Sequence, residues 1–316
     1  MTRALNGEAN YRRPTYAKRA ERIKALARKH GYRANTAAQA MSTGRFNAIG
    51  FLHSNIPNRS YTNAPLLQGV YGELARHNLH MTSAALPDED LADPERMPKL
   101  LRELTADGLL IDYMSEVPQP MSRLLTQHRI PAVWLNTKRQ VDCVYPDDIA
   151  AGRLATEHLL ERGHRGVTFL SVTNSNHYSV DDRIEGYKQV MREAGLEPRI
   201  VKRPDVPWED RFEYCQHLLE EEADTGLAYV CYGSESSTPI AAAGLRRGMA
   251  LGRDMSIVSF AETPDVALGV LMSTVILPFD DVGRAAVAAL IQKIQDPSQP
   301  LPPRTCAPWL ETGATT

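Results

Sequence analysis

The chain contains 316 residues, of which 43% are hydrophobic and 23% charged, and its formal net charge is −2. This length and composition suit a globular protein with two compact domains, and no run of eighteen apolar residues is long enough for a transmembrane helix. The N-terminus lacks the apolar stretch of a secretory signal, and the four scattered cysteines form no C-x-x-C motif. We therefore expect a cytoplasmic protein without a disulfide framework or a zinc site.

Charge is distributed unevenly along the chain. Residues 1–46 contain eleven Lys or Arg residues and two Glu residues, a net charge of +9, whereas residues 47–316 carry −11. A basic head on an acidic body is typical of proteins that bind the phosphate backbone of nucleic acids, because Lys and Arg neutralise phosphates. The alternative is an ordinary solvated helix that is rich in Lys and Arg.

The basic head has the pattern of two helices. Over residues 16–30, small and apolar residues recur every three or four positions with basic residues on the other face, and Gly31 follows as a stop signal. Asn35 can cap a second, short helix over 36–41.

From residue 46 onward, strand patterns alternate with helix patterns. Strands are predicted over 48–52, 80–84, 108–111, 132–135, 166–170, 199–202, 227–231, 256–260 and 273–276. Helices are predicted over 65–77, 96–106, 122–128, 149–162, 181–194, 208–222, 239–248 and 281–295. This alternation predicts parallel sheets with crossover helices, and the near-continuous apolar strands predict sheets covered on both faces.

A change of pattern near 141–146 indicates two α/β lobes, with the last helix returning to the first lobe. Two facing lobes form a cleft at the carboxyl ends of their strands, where small ligands bind. Residues 233–237 resemble a nucleophile elbow but lack its second glycine, so catalysis there is disfavoured. Arg183, after a strand and a polar loop, either donates paired hydrogen bonds to a ligand or is an ordinary surface arginine.

Several motifs in the same order resemble those of the LacI/GalR family of bacterial transcription regulators. In the head, residues 2–7 resemble the end of the DNA-recognition helix, 31–35 the G-Y-x-x-N turn, and Ala38, Met41 and 44–45 the hinge helix. In the body, residues 157–159 and 163–165 resemble the family's E-H-L and G-H-R motifs, and 183–187 resemble its R-x-x-G-Y motif. Residues 273–275 and 283–284 resemble its T-T-V and G-R motifs, and 313–315 resemble its closing R-G-S-T.

The resemblance implies an α/β protein with a two-lobed, periplasmic-binding-protein-like body, made of two doubly wound parallel sheets and preceded by a partial all-α head. The expected division is a partial helix-turn-helix head over 1–34 and a hinge helix over 35–46. The first lobe would take 47–140 plus about 277–296, and the second 141–276 plus about 297–316. The head is expected to be partial because the chain starts where the family's recognition helix is ending.

The resemblance also implies site residues. The residues expected to contact an effector are Arg183, Asp112, Asn136, Trp208 and Glu262, and those expected to contact DNA are Thr2, Arg3, Asn6, Tyr32, Asn35, Ala38 and Met41. Alanine at position 183 is expected to weaken effector binding and leave the fold intact. Two departures, 233–234 in place of Asn-Asp and 261–262 in place of Asp-Asp, remove carboxylates and count against a simple hexose.

The predicted function is that of a transcriptional repressor whose affinity for operator DNA changes when a small, sugar-related effector binds between the lobes. We expect a homodimer that is not an enzyme and needs no cofactor or metal. The alternatives are a periplasmic-type sugar-binding protein, an effector-binding remnant that no longer binds DNA, and an enzyme that uses the cleft.

Overall fold

A computed structural model describes residues 14–30, 44–173, 175–221 and 227–316. In the head, helix α1 (Pro14–Lys29) confirms the helix predicted over 16–30. Lys18, Arg19, Arg22 and Lys29 are exposed on it, whereas Ala20 is buried. The helix predicted over 36–41 lies outside the described residues.

The body alternates strands and helices, as predicted. Its strands are β1 (Ala48–Ser54), β2 (His80–Leu86), β3 (Gly108–Asp112), β4 (Ala132–Leu135), β5 (Cys143–Pro146), β6 (Val167–Ser171), β7 (Arg199–Lys202), β8 (Leu227–Cys231), β9 (Met255–Ala261), β10 (Val266–Ala267), β11 (Val270–Leu271), β12 (Ser273–Ile276), β13 (Arg304–Cys306) and β14 (Trp309–Glu311). Its helices are α2 (Ala64–Arg76), α3 (Asp88–Ala92), α4 (Leu100–Glu103), α5 (Gln119–Gln127), α6 (Asp148–Glu161), α7 (Tyr178–Glu193), α8 (Arg211–Glu221), α9 (Ser234–Arg246) and α10 (Phe279–Gln295). None of these helices, nor α1, is long and apolar enough to cross a lipid bilayer.

The strands form two six-stranded sheets, one in each lobe. The first has the order β13-β5-β4-β3-β1-β2 with all neighbours parallel, and the second has the order β14-β12-β9-β8-β6-β7 with β14 antiparallel to β12. Strands β10 and β11 form a separate antiparallel hairpin. The two doubly wound sheets confirm the predicted fold class.

Both sheets are buried on both faces. In β3, Leu110 packs in the cluster with α2 and α10, whereas Leu109 and Ile111 point to the opposite face and pack with α4 and α5. In β6, Phe169 packs with α6 and α7, and the next residue, Leu170, packs with α8 and α9. Alternating side chains that all meet apolar partners explain why these strands read as continuous apolar runs.

Helices α6 and α7 pack with their backbones in close contact, through one glycine on each. A Cβ added at Gly186 would lie 2.1 Å from the carbonyl oxygen of Ile149, and one added at Gly152 would lie 2.1 Å from the carbonyl oxygen of Arg183. No larger residue fits at either position without moving a helix. This contact holds Arg183 beside the first turn of α6, where Asp148 lies.

The predicted boundary between the lobes is wrong for two strands. Strand β5 was assigned with 141–276 to the second lobe and β13 with 297–316, but both belong to the first sheet. The chain therefore crosses between the lobes at three places, between β5 and α6, between β12 and α10, and between β13 and β14. Helix α10 packs against α2 and the first sheet.

Other differences concern short or proline-containing segments. The segment 96–106, which was predicted as one helix, forms a 3₁₀ turn, Met97–Lys99, followed by the four-residue α4. Thr105 follows α4 in a left-handed conformation (φ 50°).

Helix α9 begins five residues before Pro239, which was its predicted start. Proline in the second turn removes one backbone donor and does not prevent a helix from starting earlier. Strands β5, β10, β11, β13 and β14 were not predicted, because runs of two to four residues show no clear period.

Candidate functional site

The carboxyl ends of the two sheets face each other across a cleft, and side chains from both lobes meet there. The hydrogen bonds that cross it are Tyr61 Oη to Glu262 Oε1 (2.5 Å), His177 Nε2 to the Asn136 carbonyl (2.9 Å), Tyr178 Oη to Asn136 Oδ1 (3.3 Å) and Lys138 Nζ to Asp182 Oδ2 (2.7 Å). The predicted residues Asn136 and Glu262 therefore lie at the cleft, each in contact with the opposite lobe.

Arg183 lies at the second-lobe wall of the cleft and is almost fully buried, with 6% of its surface exposed. Its Nε donates to Asp148 Oδ1 at 2.8 Å and its Nη1 donates to the Tyr232 carbonyl at 3.0 Å. The guanidinium carbon lies 4.7 Å from the centre of the Tyr232 ring and 4.6 Å from that of Phe260. Arg183 is thus not a surface helix arginine.

Charge and burial act in opposite directions on Arg183. Burial lowers its pKa, but the negative charge of Asp148 and the hydrogen bond to it more than offset this, so the pKa is raised. Asp148 is itself buried, with 1% of its side chain exposed. Removing the guanidinium would leave that carboxylate buried without its counter-charge, which contradicts the expectation that alanine at 183 leaves the fold intact.

Asp112 ends β3 at the first-lobe edge of the cleft and is fully buried. Its Oδ2 accepts a hydrogen bond from Thr62 Oγ1 at 2.6 Å, and its Oδ1 accepts a longer one from the Tyr61 amide at 3.3 Å. Burial raises the pKa of Asp112, and these two hydrogen bonds partly oppose that shift. Asp112 is therefore at the predicted place, but its carboxylate holds the segment before α2.

A hydrogen-bonded chain that was not predicted connects the lobes and ends at Tyr232, whose carbonyl accepts from Arg183. The carbonyl of Asn136 accepts from Nε2 of His177, which fixes the proton on that nitrogen. His177 Nδ1 lies 2.8 Å from Ser179 Oγ, and Ser179 Oγ lies 2.8 Å from the Tyr232 hydroxyl. Burial lowers the pKa of His177, which favours the neutral ring. One signal in the sequence pointed to His177, its location in the polar loop after β6.

Asn136 owes its place to its backbone. It has φ 49°, a left-handed conformation that Asn adopts more readily than most residues. This turn directs its carbonyl and its side chain toward α7.

Trp208 lies in a 3₁₀ turn at the start of α8 and is 69% exposed. Its ring centre lies 5.2 Å from the guanidinium carbon of Arg211, whereas the rings on Arg183 are those of Tyr232 and Phe260. The role of Trp208 in covering a ligand stays a prediction. All the residues predicted to contact DNA (Thr2, Arg3, Asn6, Tyr32, Asn35, Ala38 and Met41) lie outside the described residues.

The segment that resembles a nucleophile elbow forms the start of α9. Ser236, in the segment that resembles a nucleophile elbow, is buried in the first turn of α9 and accepts a hydrogen bond from the Val172 amide at 3.1 Å. Across the described ranges, no three His, Cys, Asp or Glu side chains gather in a way that could hold a metal ion.

Comparisons with known proteins agree with this architecture. The family described as periplasmic binding protein-like domain matches residues 156–316. Catabolite control protein A of Priestia megaterium is 23% identical over 299 residues, which cover 92% of this chain and 86% of that protein. A lac repressor dimer bound to operator and the anti-inducer ONPF superposes with a TM-score of 0.77 at 18% identity, covering 99% of this chain and 93% of that one. A complex of the regulator CelR with cellobiose gives a TM-score of 0.68 at 19% identity, covering 100% and 94%.

Proposed function

The chain belongs to the LacI/GalR family of transcriptional regulators, whose effector body is a periplasmic-binding-protein-like domain, and we propose that a small, sugar-like effector in the cleft controls its binding to operator DNA. The relatives are regulators rather than transport proteins or enzymes, which supports this function over those alternatives. The proposal implies a cytoplasmic protein that acts as a repressor.

The setting of Arg183 is the observation that carries the effector proposal. Its charge is balanced by Asp148, and its guanidinium is flanked by the rings of Tyr232 and Phe260. A neutral ion pair that offers hydrogen bonds beside aromatic rings suits a ligand with hydroxyl groups and apolar faces, which is the chemistry of a sugar. The cellobiose bound to CelR supports the same ligand class.

A thermal-shift screen of the full chain tests the ligand class. A sugar that binds the native state and not the unfolded chain adds about 2.7 kcal/mol of stability at one hundred times its Kd. We expect mono- or disaccharides, with cellobiose and ribose among the first to try, to raise the unfolding midpoint. Nucleosides and simple organic acids are screened in the same way as comparison ligands. Stabilisation by those sets alone would contradict a sugar effector.

The basic head is the part of the chain that we propose for DNA binding. On α1, Lys18, Arg19, Arg22 and Lys29 are exposed and can neutralise phosphates. Immunoprecipitation of the native, tagged protein with its bound chromosomal DNA tests this role. We expect a small number of inverted-repeat sites, because a two-fold symmetric dimer reads two half-sites. Uniform recovery of the chromosome, or none, would contradict it.

Exposed apolar side chains support the proposal of a homodimer. The β10–β11 hairpin exposes Val266 by 68%, Leu268 by 47% and Leu271 by 36%, and these three residues are adjacent on one short element. A cluster of this kind on a globular protein is typical of an interface. The dimeric lac repressor structure supports a second copy of the chain as the partner.

A further inference from the structure

The segment that joins β1 to α2, residues 55–62, folds back over the carboxyl edge of the first sheet, and we call it the strap. Ser60 holds its middle, since its Oγ accepts from the Ser54 amide at 2.9 Å and donates to the Asp112 carbonyl. The Asp112 carboxylate holds its end, through Thr62 Oγ1 and the Tyr61 amide. The strap is therefore fixed to the ends of both β1 and β3.

Arg59 fastens the strap at a third place. Its Nη1 donates to Asp88 Oδ2 at 2.5 Å, beyond the end of β2, and its Nη2 donates to Glu116, beyond the end of β3. Its carbonyl accepts from the Met114 amide at 2.7 Å. These contacts reach residues beyond β3 and β2, the two strands that flank β1. The first lobe therefore determines the position of Tyr61, which is two residues further along the chain.

Tyr61 projects from the strap across the cleft. Its hydroxyl donates to Glu262 Oε1 at 2.5 Å, and its ring centre lies 6.1 Å from that of Phe279, at the crossover between β12 and α10. Burial and the carboxylate of Glu262 raise the pKa of Tyr61, which keeps the phenol protonated as a donor. Tyr61 is 40% exposed, so it lies at the mouth of the cleft and not in the core.

We propose that Tyr61 is a built-in competitor for Glu262, and that the pair determines which ligands the cleft accepts. Without ligand, the tyrosine hydroxyl occupies the carboxylate and holds the lobes together. A ligand that brings its own hydroxyl or N–H donor to Glu262 replaces Tyr61, whereas an analogue without that donor displaces the tyrosine hydroxyl from the half-exposed carboxylate without replacing its hydrogen bond, and so binds more weakly. This inference rests on the proposed function for its ligand, but the contact between the lobes exists without one.

The distance between the lobes tests the contact without any ligand. Ala75 and Ala194 are exposed near the ends of α2 and α7. Spin labels on cysteines introduced at these two positions report the distance between the lobes by pulsed electron paramagnetic resonance. Losing one hydrogen bond to a carboxylate at a half-exposed site is expected to lower the ratio of closed to open molecules about fivefold in Tyr61→Phe. Glu262→Ala should have the same effect. Tyr71→Phe, at an exposed tyrosine of α2, is the matched control and should leave the distances unchanged. Distances in Tyr61→Phe that equal those of the wild type would overturn the proposal.

Calorimetric titration with cellobiose separates competition from ordinary ligand contact. If Tyr61 competes with the ligand, Tyr61→Phe binds cellobiose up to about fivefold more tightly, whereas Glu262→Ala binds it more weakly. If Tyr61 only contacts the ligand, both variants bind more weakly, and competition is refuted. No heat from cellobiose or from any other sugar in all three proteins would count against the proposed ligand class, while the distances between the labels would still decide whether Tyr61 and Glu262 hold the lobes together.

Discussion

Replacing Arg183 by alanine is expected to destabilise the fold as well as to abolish effector binding. The side chain donates to buried Asp148 at 2.8 Å and lies between two aromatic rings. Removing one member of a buried ion pair costs about 3–5 kcal/mol, because the remaining charge stays in a medium of low polarity. For a chain of this size, such a loss lowers the thermal midpoint by on the order of 10 °C.

A double-mutant cycle separates the ion pair from the packing of the side chain. Arg183→Met keeps much of the apolar volume between the rings but leaves Asp148 charged, and Asp148→Asn removes that charge. We expect each single variant to be strongly destabilised and the double variant to be less destabilised than the sum of the two. Urea unfolding followed by circular dichroism measures these free energies, provided that the transitions remain two-state.

The matched control is Arg203, which pairs with Asp205 at 2.9 Å on the surface. Replacing Arg203 by methionine should leave the unfolding midpoint unchanged, since exposed pairs contribute little. If Arg183→Ala unfolds at the wild-type midpoint, the pair that Arg183 forms with Asp148 contributes nothing to stability.

Three further predictions follow from the packing, the buried histidine and the exposed hairpin. Gly186→Ala should lower the free energy of unfolding by at least about 1–3 kcal/mol, because its Cβ would lie 2.1 Å from the Ile149 carbonyl oxygen. Gly72→Ala is the control: its Cβ would meet only the flexible end of an arginine at 3.5 Å, so the same denaturation assay should show no loss of stability or a small gain. Burial lowers the pKa of His177 in the folded chain, so the unfolded chain binds a proton first as the pH falls. The free energy of unfolding should therefore decrease as the pH falls from 6.5, the ordinary pKa of histidine, toward the lower pKa of the folded chain. His177→Gln should flatten this part of the curve of stability against pH. If the proposed dimer forms through the β10–β11 hairpin, Leu271→Asp should sediment as a monomer in analytical ultracentrifugation at micromolar concentration, where the wild type sediments as a dimer. Equal sedimentation coefficients for the two proteins would contradict the hairpin interface.

The sequence was most informative where burial imposes a pattern. The central strands of both sheets were predicted because apolar residues on both faces make continuous runs. The position of Arg183 after β6 and its loop left a surface arginine open, and the resemblance of 183–187 to the R-x-x-G-Y motif implied a place at the cleft. Its counter-charge was not identified, because Asp148 is 35 residues away in the chain and meets it only through the packing of α6 on α7.

The position of the strap could not be predicted from the sequence. Tyr61 lies in a polar segment with no hydrophobic period, and its position depends on contacts from Arg59 to residues beyond two other strands. Asp112 was correctly placed at the cleft, but its neighbours in the strap, which occupy both oxygens of the carboxylate, could not be deduced from spacing. Long-range hydrogen bonds of this kind have no local signal in the sequence.

Whether a sugar binds at Arg183 is tested by calorimetric titration of the full chain with the sugar that stabilises it most in the thermal-shift screen. We expect one site per chain, and at least tenfold weaker binding in Arg183→Lys, because an ammonium keeps the charge toward Asp148 but cannot reproduce the planar fork of the guanidinium. Equal affinity in the wild type and in Arg183→Lys, with both proteins folded, would show that the ligand does not bind at Arg183.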